Sequence, residues 1–196
     1  GAPDIIDERL AIARQLDEAG RTGRADRMYA QILSDHGSEP YALFRIARTA
    51  DAEGRVSLSA RAATLLLSSL PAGASPPADL LRAAYPPAYA DLVLDAAKEQ
   101  DIDPLLLMAL MRQESFYDPR AGSSAGALGL TQVIEPTGEA IAADLGIADF
   151  ALTDLFRPRL SLRFGASYLA DQLDAFDGNA YHALAAYNGG PGATSK

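Results

Sequence analysis

From residue 4 to residue 70, apolar positions recur every three or four residues and are broken at short intervals by glycine or proline. Ile5, Ile6, Leu10, Ile12 and Leu16 make one stripe, closed by Gly20; Met28, Tyr29, Ile32 and Leu33 make a second, closed by Gly37. Pro40 opens a third with Tyr41, Leu43, Phe44 and Ile46, ending near Gly54. A fourth runs through Leu58 and Leu65-Leu66-Leu67 to Pro71. This period, with proline at a helix start and glycine past helix ends, predicts about four antiparallel helices. A shift of 34 residues pairs Asp17 with Asp51, Gly20 with Gly54, Arg21 with Arg55, Arg27 with Arg61 and Ile32-Leu33 with Leu66-Leu67. That is the period of a tetratricopeptide-like helix pair. Two such units fall short of the number that stand alone, so the stack leans on the C-terminal part of the chain or is the stump of a longer superhelix.

Pro71-Ala72-Gly73-Ala74-Ser75-Pro76-Pro77 is the clearest linker in the chain. It divides the expected architecture into a helical stack over 1–75 and a second domain over 76–196. In the second part Tyr89, Leu92, Val93 and Ala96-Ala97 share one helix side, opposite Asp91, Asp95 and Glu99. Asp103 is placed to cap the next helix and Pro104 to start it. Phe116 to Leu128 reads as an irregular loop, and Gly129 to Ile134 as a short helix or turn. Further helices come around Ile141 and Leu145, from Leu160 to Leu173, and from Tyr181 to Asn188; Thr153 is placed to cap Asp154-Leu155-Phe156. The fold class expected is all-α.

Composition narrows the chemistry. The 196 residues contain no cysteine and only two histidines, His36 and His182. Disulfides, thiolate sites and cysteine nucleophiles are excluded, and neither a His-rich metal site nor a Ser-His-Asp arrangement is expected. No cofactor is called for. No apolar run of the length needed to span a membrane occurs. Gly1-Ala2-Pro3 reads as a trimmed start without a signal peptide. The net charge of −9 is uneven: residues 1–88 hold 10 Lys and Arg against 11 Asp and Glu, residues 89–196 hold 7 against 15. Such a balance disfavours nucleic acid as a partner and is compatible with a neutral, sugar-like ligand.

The stretch Leu105 to Met111 is apolar at nearly every position and carries Glu114 to its C-terminal end. A helix this apolar is expected to be buried on most sides. There Glu114 would meet both an apolar environment and the negative end of the helix dipole, each of which raises a carboxyl pKa toward the range of a general acid. On this stretch alone, a carboxylate that has simply reached solvent is the ordinary reading.

Three pieces alter that reading: Glu114-Ser115, Gly129-Leu130-Thr131-Gln132, and Ala186-Tyr187-Asn188 followed by Gly189-Gly190-Pro191-Gly192. In order and spacing they resemble the soluble lytic transglycosylases, whose fold is similar to goose-type lysozyme. The resemblance runs from Tyr85-Pro86 to Gly192, and the stack over 4–70 resembles the α-superhelix that precedes the catalytic domain of the large members. It implies a peptidoglycan glycan strand as substrate, cleaved between N-acetylmuramic acid and N-acetylglucosamine to leave a 1,6-anhydro sugar. Glu114 is then the sole catalytic carboxylate, acid and then base, with the substrate's acetamido group standing in for a second.

By the same resemblance Ser123 orients the carboxylate, with Ser115 as a supporting neighbour. Gln132 binds an N-acetyl or hydroxyl group, Tyr187 places its hydroxyl by Glu114, and Asn188 ties loops together behind it. Tyr117, Phe116 and Tyr168 are candidates for the groove wall, with core packing favoured for Phe116 and Tyr168. It further implies residence outside the cytoplasmic membrane, in the periplasm or at the cell surface. A hydrolytic muramidase and a non-catalytic peptidoglycan-binding or scaffold module are the alternatives, and the helical stack is a candidate for recruiting a protein partner. Thr131 stands where the family usually has Met, Ile134-Glu135 where it has Met-Pro, and Ser161 where an Asn is expected. Family members continue beyond the point where Ala193-Thr194-Ser195-Lys196 ends this chain, so a shortened C-terminal end is expected.

Overall fold

The computed structural model describes residues 2–189, with side chains from Ile5 onward, as two compact units that meet in sequence at Pro86 and Pro87. The first unit contains α1 (Ala2–Glu18), α2 (Thr22–Asp35), α3 (Pro40–Ala52), α4 (Val56–Ser68) and α5 (Ala78–Ala84). Its core is the inner faces of these helices, including Ile6, Leu10, Ile32, Leu43, Ile46, Leu58 and Leu66. The 34-residue repeat is matched by turn geometry. Gly20 and Gly54 adopt φ of 71° and 68°, a left-handed conformation that glycine enters without steric cost. The amides after them, of Arg21 and Arg55, donate back to Leu16 and Ala50, each at 2.8 Å, closing α1 and α3 alike. Arg55 also lies over the Tyr29 ring at 4.4 Å and donates to Asp17 at 3.1 Å, tying the second helix pair to the first.

The sequence placed the division between residues 75 and 76. Instead α5, built after Pro76-Pro77, buries Ala84 and packs Leu80 and Ala83 against the first core, so the compact unit extends to Pro86.

The second unit contains α6 (Ala90–Glu99), α7 (Pro104–Ser115), α8 (Glu135–Asp144), a 3₁₀ turn (Leu152–Phe156), α9 (Pro158–Ala175) and α10 (Ala180–Gly189). No strand occurs among the described residues. All the other elements of the unit pack on α9, whose Leu162, Phe164, Ala166 and Leu169 are fully buried. Arg163 of α9 grips Glu99 of α6 through two hydrogen bonds of 2.9 and 2.5 Å, which holds the Glu99 carboxyl below its usual pKa.

Asp103 accepts the Leu105 amide at 2.8 Å and Pro104 comes next, so α7 starts as its residues dictate. The helix is buried on one face only, contrary to the expectation. Leu107, Leu110 and Met111 are buried at the helical spacing of a single stripe, whereas Leu105 is 71% exposed. The segment from Gly129 to Ile134 is a turn, and the loop before it is held by isolated bridges from Leu128 to Gly122 and to Val133. Thr153 does not cap the 3₁₀ turn: the Asp154 carboxylate accepts the Ala151 amide at 3.1 Å and starts it two residues earlier than Thr153 could. Asn179 starts α10 by accepting the amides of Tyr181 and His182. Gly190-Pro191-Gly192 and Ala193–Lys196 lie outside the described residues.

Candidate active site

One open cleft of ≈ 550 Å³ in the second unit is lined by Glu114, Ser123, Gln132, Tyr187 and Asn188. These residues come from α7, the loop after it, the turn before α8 and the last turn of α10, so only folding brings them together. Ala125, Ala127, Ile134 and Tyr168 complete much of an apolar wall. Glu114 is the single acidic side chain of that lining.

Glu114 occupies the last turn of α7 and is half-buried. Burial pushes its carboxyl pKa above the ordinary value, because a carboxylate loses more hydration than a carboxylic acid does. Directly after it the chain turns through Phe116 and Tyr117, both with positive φ (51° and 65°). Two successive non-glycine residues in this region cost about 1 kcal/mol or more each, and such strain persists where the surroundings impose it. Here Arg112 stacks over the Phe116 ring at 4.8 Å and Tyr117 is buried, so the turn leaves Glu114 at the cleft floor.

Ser123 is exposed and lines the same cleft. Its Oγ accepts the Ala127 amide at 3.1 Å and its own amide donates to the Ala127 carbonyl, which closes the loop into a small cradle. Ser115 lies buried on the core side of α7, donating to the Met111 carbonyl at 3.1 Å, and is not part of the cleft lining.

Gln132 adopts φ 51° and donates from Nε2 to the carbonyls of Ala121 (3.2 Å) and Gly129 (2.9 Å). Both partners can only accept, which fixes the amide orientation. A ligand therefore meets the Gln132 oxygen, an acceptor, and not the two-way amide expected from the residue type.

Tyr187 is buried and its hydroxyl donates to the Thr131 carbonyl at 2.8 Å. Burial raises its pKa far above the normal phenol range; the bond to Thr131 opposes this, and the nearby Glu114 charge adds to the rise. The bond commits the hydroxyl proton to Thr131. Tyr168 packs on it with ring centroids 4.9 Å apart. The expectation for the aromatics is reversed: Tyr168 lines the cleft, and Tyr117, at 2% exposure, is core. Asn188, in the last turn of α10, is exposed and lines the cleft. Ile134 and Thr137 also line the cleft, and their residue types carried no signal of it. Among the described residues, no group of three or more His, Asp or Glu side chains could hold a metal ion.

The class defined so far is an all-α domain with a lone, half-buried glutamate at the floor of an open cleft. A family model described as the transglycosylase SLT domain matches residues 91–196. The chain belongs to that family. It is 36% identical over 115 residues to the soluble lytic murein transglycosylase of Salmonella typhimurium, an alignment covering 58% of this chain and 18% of that protein. It is 33% identical over 113 residues to the membrane-bound lytic murein transglycosylase C of Shigella sonnei, covering 53% and 32%. Among solved structures it resembles the 70 kDa soluble lytic transglycosylase of Escherichia coli, with TM-score 0.76 and 26% identity over 94% of this chain and 28% of that one. It also resembles the lytic transglycosylase Slt of Pseudomonas aeruginosa, crystallised as an inactive glutamate-to-glutamine mutant, with TM-score 0.78 and 26% identity over 92% and 28%. The fold is thus that of the lysozyme-like all-α transglycosylases. The chain spans less than a third of the E. coli and P. aeruginosa proteins.

Proposed function

We propose that this chain is a peptidoglycan lytic transglycosylase that cleaves the β-1,4 bond between N-acetylmuramic acid and N-acetylglucosamine. The observation that carries the reading is the single carboxylate of the cleft, Glu114, half-buried and with a raised pKa. A two-carboxylate glycosidase needs a second acid across the scissile bond, and the cleft lining offers none. With one carboxylate, the substrate itself can supply the nucleophile. Protonated Glu114 gives its proton to the glycosidic oxygen as the C1–O bond breaks, and the substrate's acetamido group shares the charge developing at C1. The resulting carboxylate then takes the proton of the muramoyl 6-hydroxyl, whose oxygen bonds to C1 and closes the 1,6-anhydro ring. Glu114 ends as it began.

The Gln132 oxygen is suited to accept an N–H or O–H of a bound sugar, and Tyr168 offers a ring face at the wall. The relatives are named murein transglycosylases, which supports the same substrate. Peptidoglycan lies outside the cytoplasmic membrane, so we place the protein there. No described helix is long and apolar enough to cross a membrane.

Digestion of purified peptidoglycan followed by mass spectrometry tests the reading. Anhydro-muropeptides are expected from the native chain and none from Glu114→Gln. Free reducing ends would establish a hydrolytic muramidase instead, and sedimentation with peptidoglycan without any product would establish a binding module.

A further inference from the structure

The chain contains two asparagines, Asn179 and Asn188, at opposite ends of α10. Both are exposed, but their settings differ in two respects. Asn179 is followed by Ala180, and its Oδ1 accepts the amides of Tyr181 and His182 at 3.1 and 3.3 Å, which ties the side chain to the start of the helix. Asn188 is followed by Gly189, and among the described residues no hydrogen bond holds its side chain. Asn188 and Gly189 both line the cleft in which Glu114 is the single acid. The reaction proposed above uses neither.

We propose that Asn188 is a site of spontaneous deamidation, by which the folded protein acquires a second carboxylate in the lining of the cleft. The reaction needs only water. The Gly189 backbone nitrogen attacks the side-chain carbonyl carbon of Asn188, and the new N–C bond closes a five-membered imide. The C–NH2 bond breaks, and ammonia leaves with the proton that the Gly189 nitrogen gave up. Water then opens the ring at either carbonyl, leaving aspartate or isoaspartate at position 188. Both products carry a negative charge where a neutral amide stood, so the net charge of −9 gains one further negative charge.

Helical geometry opposes this attack, because it holds the backbone nitrogen away from the side-chain carbon. Three features weaken that restraint at Asn188 and not at Asn179. Glycine has no Cβ to crowd the approach of its nitrogen, and it enters non-helical backbone angles without steric cost. Asn188 lies in the last turn of α10, where a helix end frays at little cost, whereas the first turn is capped by Asn179 itself. The Asn188 side chain gives up no hydrogen bond among the described residues when it moves, and that of Asn179 gives up two.

Incubation of the folded chain at mildly alkaline pH, followed by proteolysis and mass spectrometry, tests the proposal. Exchange of NH2 for OH adds one mass unit, and fragmentation of the peptide assigns the gain to position 179 or 188. Isomerisation at Asp177-Gly178 leaves the mass unchanged and does not enter the count. The expected result is a gain at 188 that accumulates with time, rises with pH and outpaces any gain at 179. Gly189→Ala should slow it by about fivefold or more, the rate equivalent of the backbone freedom that a Cβ removes. Circular dichroism checks that α10 and its neighbours stay folded throughout, and the chain unfolded in urea gives the rate of the bare dipeptide. No gain at 188 in the folded chain overturns the proposal, whether or not the unfolded chain converts. Equal gains at 179 and 188 in the folded chain overturn it as well, since neither the glycine nor the missing hydrogen bonds would then select the site. No substrate enters these measurements, so their outcome is independent of the reaction proposed above.

Discussion

At the scale of single residues, Glu114 carries a cost that should be measurable without substrate. Its folded pKa lies above its unfolded one because burial penalises the charge. The folded state therefore holds this proton more tightly than the unfolded chain does. Its contribution to stability is full below the unfolded pKa and falls as pH rises toward the folded pKa, beyond which a constant penalty remains. Glu114→Gln removes the titration. Thermal melts as a function of pH should show the glutamine variant gaining on the native chain from about pH 4 upward, where an unfolded glutamate starts to ionise; parallel curves would mean that the carboxylate is solvated. Glu114 was legible in the sequence only in company: the apolar run by itself read as a carboxylate that reaches solvent, and the Gly129–Gln132 and Ala186–Asn188 pieces singled it out. The orientation of Gln132 was not. Residue type says that an amide can donate and accept, and only the placement of the Ala121 and Gly129 carbonyls uses up its donors.

At the scale of elements, the site depends on a turn that must pass closer to its neighbours than any side chain allows. Gly129 has φ 79°, and a Cβ there would lie 2.1 Å from the Leu155 carbonyl and 2.8 Å from Ser161 Oγ. Gly129→Ala combines a left-handed alanine with overpacking against backbone, and should cost about 3 kcal/mol in a urea melt. Glycines 126 and 146 also have positive φ but face open space, so alanine there should cost only the conformational part. The helices around this turn could be read from their periodicity and caps, as Asp103-Pro104 and the paired Gly20 and Gly54 illustrate. The short α5 could not, because seven residues behind two prolines hold too little periodic pattern to outweigh a linker signal. Nor could the choice between Tyr117 and Tyr168 for the cleft wall. A left-handed turn after α7 sends Tyr117 inward, and nothing in the local sequence marks that conformation.

At the scale of the whole molecule, charge and the proposed substrate oppose each other. The second unit carries nearly all of the net charge of −9, with 15 acidic residues against 7 basic ones over 89–196. One of the acids, Glu114, lines a cleft that no basic side chain lines among the described residues. Peptidoglycan strands bear carboxylates on their peptide stems, so a strand that brings its stems near this unit meets repulsion of like charge. The repulsion reaches furthest at low ionic strength, where the screening length is about 30 Å at 10 mM and shrinks to about 8 Å at 150 mM. Adding salt over this range should therefore lower KM on whole peptidoglycan and leave kcat nearly unchanged, because the chemistry at C1 sits inside the cleft and is screened little. Peptidoglycan whose stem carboxyls are capped as neutral amides should show no such dependence, which separates screening from an effect of salt on the fold. Turnover of both substrates across a salt series measures the contrast. A KM that rises with salt on intact peptidoglycan would require a basic surface to meet the stems, and the charge distribution of this unit provides no excess of one.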